Sequence, residues 1–140
     1  MLILSIQNMI VLIIMQDGGY KMINQRSEGI VNKMNQYVYH ILGCGAIGSS
    51  AAVQLCRMGG DVFNIYDFDI VEEANIGVSE YVQSDLGKPK VTALEARLND
   101  ISPLATVYTN NERFKTYAPT GDGRDIIILG FDSMESRLEA

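Results

Sequence analysis

The sequence predicts an α/β domain built on a doubly wound, Rossmann-like, mostly parallel sheet with helices on both faces. Three observations predict it. Short β-rich apolar runs alternate with segments of helical spacing. The first clear run ends in Gly43-Cys44-Gly45-Ala46-Ile47-Gly48, and an acid, Asp67, closes the second. A strand, helix, strand succession needs crossovers, which are right-handed in nearly all proteins and make neighbouring strands parallel.

Met1 to Met15 is almost wholly apolar. It fits a secretory signal badly, because no basic residue precedes it and no small-residue cleavage site follows, and it is shorter than the roughly 20 residues that cross a bilayer. An extra strand or helix packed on a partner, or residues upstream of a start at Met22, are the other readings. Asp17-Gly18-Gly19 breaks the pattern, and the polar stretch Lys21 to Gln36 reads as a short helix or arm. Residues 1–36 are thus taken as an apolar segment and arm, and 37–140 as the domain. Tyr37 to Leu42 reads as a buried parallel strand. Ala46 to Met58 carries Ile47, Ala51, Leu55 and Met58 at helical spacing and stops at Gly59-Gly60. Val62 to Tyr66 is the second strand. A loop through Asn75 and Gly77 leads to Pro89, which can open a helix running to about Asn99. Ala105 to Tyr108 is a third strand, Gly121-Asp122-Gly123 a turn, and Asp125 to Leu129 a fourth strand, with a helix expected from about Ser133. The chain stops within that helix, so the domain reads as truncated at its carboxyl end.

Composition narrows the function. With 47% apolar and 20% charged residues the chain has the make-up of a folded globular domain. A net charge of -6 with no Lys/Arg cluster excludes the footprint that nucleic-acid binding needs. No membrane partner is expected either. An anionic ligand must then be held by a few placed cations and backbone amides. Cys44 and Cys56 match neither a zinc ribbon nor a disulfide framework, and a reduced, cytoplasmic protein is the simplest reading.

The glycine motif lies between a strand and a helix, the context that gives G-x-G-x-x-G its meaning. Gly43 allows the tight turn, Gly45 lets backbone approach a ligand, and Gly48 lets helix pack on strand, while the helix opening at Ala46 and Ile47 faces phosphates. Asp67, nineteen residues beyond Gly48, can accept hydrogen bonds from ribose hydroxyls. Asp69 is a weaker nucleotide candidate and is expected to cap the following loop. These residues suit NAD and ATP alike. His40, inside a strand, reads as a packed histidine; Cys44 and Cys56 read as small packing residues.

Further segments add specificity: Asp67-Phe68-Asp69-Ile70-Val71-Glu72-Glu73-Ala74-Asn75, then Gly87-Lys88-Pro89-Lys90, then Asn99-Asp100-Ile101-Ser102-Pro103, then Phe131-Asp132-Ser133-Met134-Glu135-Ser136-Arg137. Their order resembles the ThiF/MoeB/HesA and ubiquitin-activating family, whose pattern runs D-x-D-x-V-x-x-x-N, G-x-P-K before a helix, N-P, and T-D-N-x-x-x-R. The resemblance covers about Arg26 to Arg137. It implies an ATP- and Mg²⁺-dependent adenylyltransferase that activates the C-terminal glycine carboxylate of a small ubiquitin-like or sulfur-carrier protein, commonly as a homodimer or heterodimer. The open alternatives are an NAD(P)-binding module and a catalytically weak nucleotide-binding scaffold subunit.

Under the resemblance Lys90, at a helix start, reaches the phosphates as a point charge, Asn75 supplies an amide to the α-phosphate oxygens, and Asp132 holds magnesium. Attack of an ionised carboxylate on the α-phosphate needs charge neutralisation and positioning and no general base. The chain departs from the pattern at Val78 and Ser79, where the family places an arginine and a glutamine, and at Ser102, Phe131 and Ser133. Either the chain is a divergent member or the missing charge comes from elsewhere. One candidate source is Arg26, passed from the amino-terminal arm into a neighbouring subunit.

Overall fold

Val62–Tyr66 and Asp125–Leu129 alternate buried with half-buried residues, as strands covered more heavily on one side must, while Val38–Leu42 between them is buried on both faces from Tyr39 onward. The computed structural model describes residues 2–6, 9–13, 34–115 and 120–131, the first two stretches by their backbone alone. The apolar amino-terminal run forms an antiparallel hairpin of β1 (Leu2–Ile6) and β2 (Met9–Ile13), pairing Leu2 with Ile13 and Ile6 with Met9. The segment thus holds two strands, and β2 approaches β6.

The domain follows as β3 (Val38–Leu42), α1 (Ala46–Arg57), β4 (Val62–Tyr66), α2 (Glu73–Ile76), α3 (Lys90–Ile101), β5 (Thr106–Asn110) and β6 (Asp125–Leu129). The four longer-range strands form one parallel sheet in the order β5-β4-β3-β6. The chain starts at β3, steps outward to β4 and β5, and returns to the opposite side of β3. The Rossmann-like class expected from the sequence is the one observed.

Tyr39 and Ile41, Phe63 and Ile65, and Ile126 and Ile128 form the buried face of the sheet. Over them lie Ala52, Val53 and Cys56 of α1 and Val91, Leu94 and Leu98 of α3, all within one apolar cluster. Tyr39 stacks on Phe63 with centroids 5.3 Å apart, and its hydroxyl donates to the Met34 carbonyl at 2.6 Å, so its buried oxygen is satisfied. The described helices α1 and α3 therefore cover one face; the helix expected from Ser133 lies outside the described residues. The opposite face carries a polar string across all four strands. His40 Nε2 meets Asp125 Oδ1 at 2.8 Å, Asn64 Nδ2 lies 3.5 Å from His40 Nδ1, and Asn110 Nδ2 donates to Asn64 Oδ1 at 2.7 Å. His40 is thus a packed histidine with a carboxylate partner, as its place in the strand implied.

Local departures from the expected elements have local causes. α2 forms where a plain loop was expected, because Asn75 Oδ1 accepts the Glu72 N–H at 2.8 Å and the Asn75 N–H reaches the Glu72 carbonyl at 2.9 Å, closing a helical turn. α3 begins at Lys90 with Pro89 as its flanking residue, since proline fixes a compatible φ and has no N–H to lose. It runs two residues past Asn99. β5 is shifted to Thr106–Asn110, which keeps it level with β4.

Candidate nucleotide site

The sheet reverses its order of strand addition between β3 and β6, and ligands of such sheets bind outside the carboxyl ends at that point. Gly43 and Gly130 meet there. Gly43 has φ 94°, in the left-handed region that disfavours a side chain, and its N–H donates to the Tyr66 carbonyl at 2.8 Å. Gly130 donates to the Leu42 carbonyl at 2.7 Å, and a Cβ on it would lie 2.4 Å from the Gly43 oxygen. A Cβ on Gly48 would lie 1.7 Å from that same oxygen. Three backbones therefore touch without room for a methyl group, and the turn is compact because of it. Gly45 precedes α1 and lines the cleft; Ala46 and Ile47 make the first turn of α1 and stand outside the cleft wall.

Cys44, at the centre of the turn, is held at both ends of its backbone. Asp67 Oδ2 accepts its N–H at 2.7 Å, and the buried Tyr81 hydroxyl donates to its carbonyl at 2.5 Å. Asp67 Oδ1 accepts the Asp69 N–H at 2.8 Å. The capping role expected of Asp69 therefore falls to Asp67, whose carboxylate oxygens retain lone pairs for ribose hydroxyls. Burial first, and the Asp67 carboxylate next, push the Cys44 thiol well above its ordinary range, which outweighs the lowering by the Lys90 ammonium. Cys44 and Cys56 are both buried thiols, as their reading as packing residues required.

Lys90 is the charged group that the fold brings under the cleft. Its side chain is only 7% exposed, and its Nζ lies 3.1 Å from Asp69 Oδ2, whose side chain is 52% exposed. The backbone fixes both: the Lys90 N–H donates to the Asp69 carbonyl at 2.9 Å, and Ile70 bridges to Pro89. A buried ammonium whose countercharge is largely in water can exchange that partner for a ligand anion at little cost. Asn75 stands outside the cleft wall. Its Oδ1 is committed to Glu72, and its amide nitrogen makes no hydrogen bond among the described residues, which leaves the donor end available. Val78 is 64% exposed and does not line the cleft.

The cleft is bounded by Gly43, Gly45 and Gly130 at the turn, by Asp67, Asp69 and Lys90 along β4 and α3, and by Tyr66, Phe68, Glu112, Arg113, Phe114 and Phe131 at its edges. Sequence reasoning did not nominate Gly130 or the 112–114 loop. Gly130 carried a weak signal, a glycine ending a strand as Gly43 does; the loop matches no motif, and only its place after a strand pointed to it. Arg26 and Asp132 lie outside the described residues, among which no group of three or more His, Cys, Asp or Glu side chains could hold a metal ion. The cations that line the cleft and fit a polyphosphate are Lys90 and Arg113, beside a glycine turn too tight for side chains.

The family model described as ThiF family matches residues 20–139. Ubiquitin-like modifier-activating enzyme 5 of Culex quinquefasciatus is 30% identical over 133 residues, covering 85% of this chain and 31% of that protein. The Aedes aegypti protein of the same name is 33% identical over 127 residues, covering 79% and 32%. The chain thus spans about a third of the length of these relatives. Among solved structures, E. coli MccB with ATP aligns with a TM-score of 0.56 and 25% identity over 60% of this chain and 26% of MccB, and PaaA with 0.56 and 30% over 58% and 25%. With the family model matching nearly the whole sequence, the chain belongs to the ThiF family.

Proposed function

We propose that the chain binds ATP across the carboxyl edge of its sheet and forms the nucleotide-binding part of an adenylyltransferase that activates the C-terminal glycine carboxylate of a small ubiquitin-like protein. One observation carries the reading. Lys90 holds a buried ammonium in the same cleft as the glycine turn and Asp67, a cation that a dinucleotide site neutralised by helix amides does not need. The likeness to MccB solved with ATP, and to relatives named for activating ubiquitin-like modifiers, supports it.

In this reading Asp67 takes the ribose hydroxyls, the turn from Gly43 to Gly48 and the start of α1 face the phosphates, and Lys90 with Asn75 neutralises the α-phosphoryl oxygens while the glycine carboxylate attacks. The products are an acyl adenylate and pyrophosphate. Catalysis rests on charge and alignment, because the nucleophile is already ionised. Magnesium on Asp132 would draw charge from the phosphates, and Arg26 of a second subunit would replace the arginine missing at Val78. A dimer working in the cytoplasm is part of the proposal.

Thermal stabilisation by Mg-ATP against NAD tests the site, since a ligand that binds only the folded chain raises its stability. Stabilisation by NAD alone overturns the reading. ATP-pyrophosphate exchange that depends on a glycine-tailed small protein tests the activity. Binding without exchange would leave a nucleotide-binding scaffold.

A further inference from the structure

The polar string on the sheet face opposite α1 and α3 is bounded by two groups that can only accept hydrogen bonds. At one end stands the Asp125 carboxylate, 2.8 Å from His40 Nε2. At the other stands the Ile65 carbonyl, which takes a hydrogen bond from Asn110 Nδ2 at 3.2 Å. These ends fix every donor and acceptor between them. With its nitrogen facing Ile65, Asn110 also donates to Asn64 Oδ1, at 2.7 Å. Asn64 then turns its own amide nitrogen to the Tyr66 hydroxyl at 3.2 Å and to His40 Nδ1 at 3.5 Å. His40 Nδ1 must therefore accept, and the ring proton sits on Nε2 against Asp125. Asn110 also reaches the nucleotide site. Its side chain holds the Ile65 carbonyl and its own carbonyl accepts the Asp67 N–H at 3.2 Å, so it grips β4 on either side of Tyr66.

We propose that His40, in the tautomer with its proton on Nε2, is a positioning residue for Asp67, acting through Asn64 and Asn110. The proposal rests on the ATP-binding reading, in which Asp67 takes the ribose, and adds to it a side chain that touches no nucleotide. A second proton, on Nδ1, would set two donors face to face. Asn64 would have to turn its amide over, which points its nitrogen at the Asn110 nitrogen; Asn110 would have to turn in its place and give up Ile65. β5 would then no longer hold β4 at Ile65, and the carbonyl that receives the Asp67 N–H would be free to shift. Nucleotide and second proton therefore oppose each other. Among the described residues the titratable groups on this face are Asp125 of β6, Tyr66 of β4 and Tyr108 of β5, with Asp122 and Arg124 paired to each other in the turn before β6. β2, which approaches β6, contributes none. Asp125 serves both charge states of the ring; the Nδ1 side, where Asn64 stands, tells them apart.

The test follows the His40 ring by nitrogen NMR in the 140-residue chain, from about pH 8 to 5, the span in which histidines titrate. The free ring should carry its proton on Nε2 at the upper end, and the Asn64 and Asn110 side-chain amides should shift along the same curve as the ring. Saturating Mg-ATP should move that curve to lower pH by about 0.5 to 1 unit, equivalent to about a three- to tenfold loss of ATP affinity once the second proton is bound. Inorganic triphosphate, which has the charge and no ribose, should leave the curve in place or raise it, because a bound anion alone favours the charged ring. Asn64→Leu and Asn110→Ala, checked for folding by circular dichroism, should each weaken Mg-ATP about three- to tenfold, the weight of one neutral hydrogen bond, and triphosphate less than about twofold. A proton on Nδ1 at high pH, a ring without a second protonation in this span, amides that do not follow the ring, or a curve that Mg-ATP leaves in place or raises would overturn the proposal. Equal weakening of ATP and triphosphate in both variants would overturn it too, and would make the string a general support of the fold. In each of these cases ATP still binds and that reading stands. A wild-type chain that binds no ATP refutes both.

Discussion

The Tyr81 hydroxyl donates a 2.5 Å hydrogen bond to the carbonyl of Cys44, the residue at the centre of the glycine turn. Tyr81 comes from the crossover between β4 and α3, so the bond ties a distant loop to the phosphate end of the site. Both residues are buried, so removing the phenol takes away the partner of a buried carbonyl. Tyr81→Phe should therefore cost about 1 to 3 kcal/mol of stability, the penalty for a buried carbonyl left unpaired. Because the carbonyl belongs to the turn, ATP affinity should fall several-fold too. Urea unfolding and ATP titration of the variant check the two effects together.

Asp69 holds the Lys90 ammonium at 3.1 Å and would compete with a bound phosphate for it. Lys90→Met keeps the stem and removes the charge; triphosphate affinity should drop about tenfold or more, the weight of one charge-assisted hydrogen bond. Stability should change little, because the desolvation cost of the ammonium disappears with it. Asp69→Asn should do the reverse, weakening the ligand-free fold while tightening triphosphate. Thermal shifts with and without triphosphate distinguish these outcomes, and looser binding in Asp69→Asn would make Asp69 a direct nucleotide ligand.

Two glycines separate packing from permissiveness. Gly130→Ala would bring a methyl to 2.4 Å from the Gly43 oxygen, against backbone that cannot swing aside. Overpacking of this kind costs about 1 to 3 kcal/mol or more and should open the turn, so both stability and ATP affinity should fall. Gly77→Ala meets nothing within 4 Å, and its φ is -80°. It should be neutral or stabilise by about 0.4 to 1 kcal/mol through a less flexible unfolded chain. Denaturant midpoints of the pair measure the contrast.

The strands and helices were legible because each carries its own period: Val62 to Tyr66 and Asp125 to Leu129 are observed with the bounds their residues suggest. Their parallel order followed from the crossovers. Gly43, Gly48 and Asp67 were legible since a short local motif fixes where each lies. Pairings between segments were not. Nothing in the residue string says that Asp67 would cap the turn through Cys44 and Asp69, or that Tyr81 would reach back to it, because those contacts are made by the fold after the strands assemble. The 112–114 loop escaped for the same reason: its residues gain meaning only when β5 sets them beside Phe68. α2 was missed because one side-chain to backbone bond, from Asn75 to Glu72, decides between a loop and a turn of helix.

The buried thiols, Cys44 and Cys56, and the phenols of Tyr39 and Tyr81 all hold their protons more tightly because of burial. Burial, then the Asp67 carboxylate, push Cys44 well above its ordinary 9.0. Burial, then Cys44, Asp67 and Asp85, push Tyr81 above its ordinary 10.0, and burial does the same to Tyr39. Each group therefore holds its proton more tightly folded than unfolded. As pH rises the unfolded chain releases these protons first, so it binds fewer than the folded chain, and stability must fall with pH. The contribution is whole below the ordinary values and is lost as pH climbs through them toward the raised ones, at up to about 1.4 kcal/mol per pH unit for each group. Urea midpoints should thus be level up to about pH 8 and decline above pH 9, where unfolded thiols begin to ionise. Cys44→Ala removes one such proton and should make the decline between pH 9 and 10 shallower. An equally steep decline in that variant would mean that Cys44 titrates in the folded chain near its ordinary value, and so that the glycine turn is open to water.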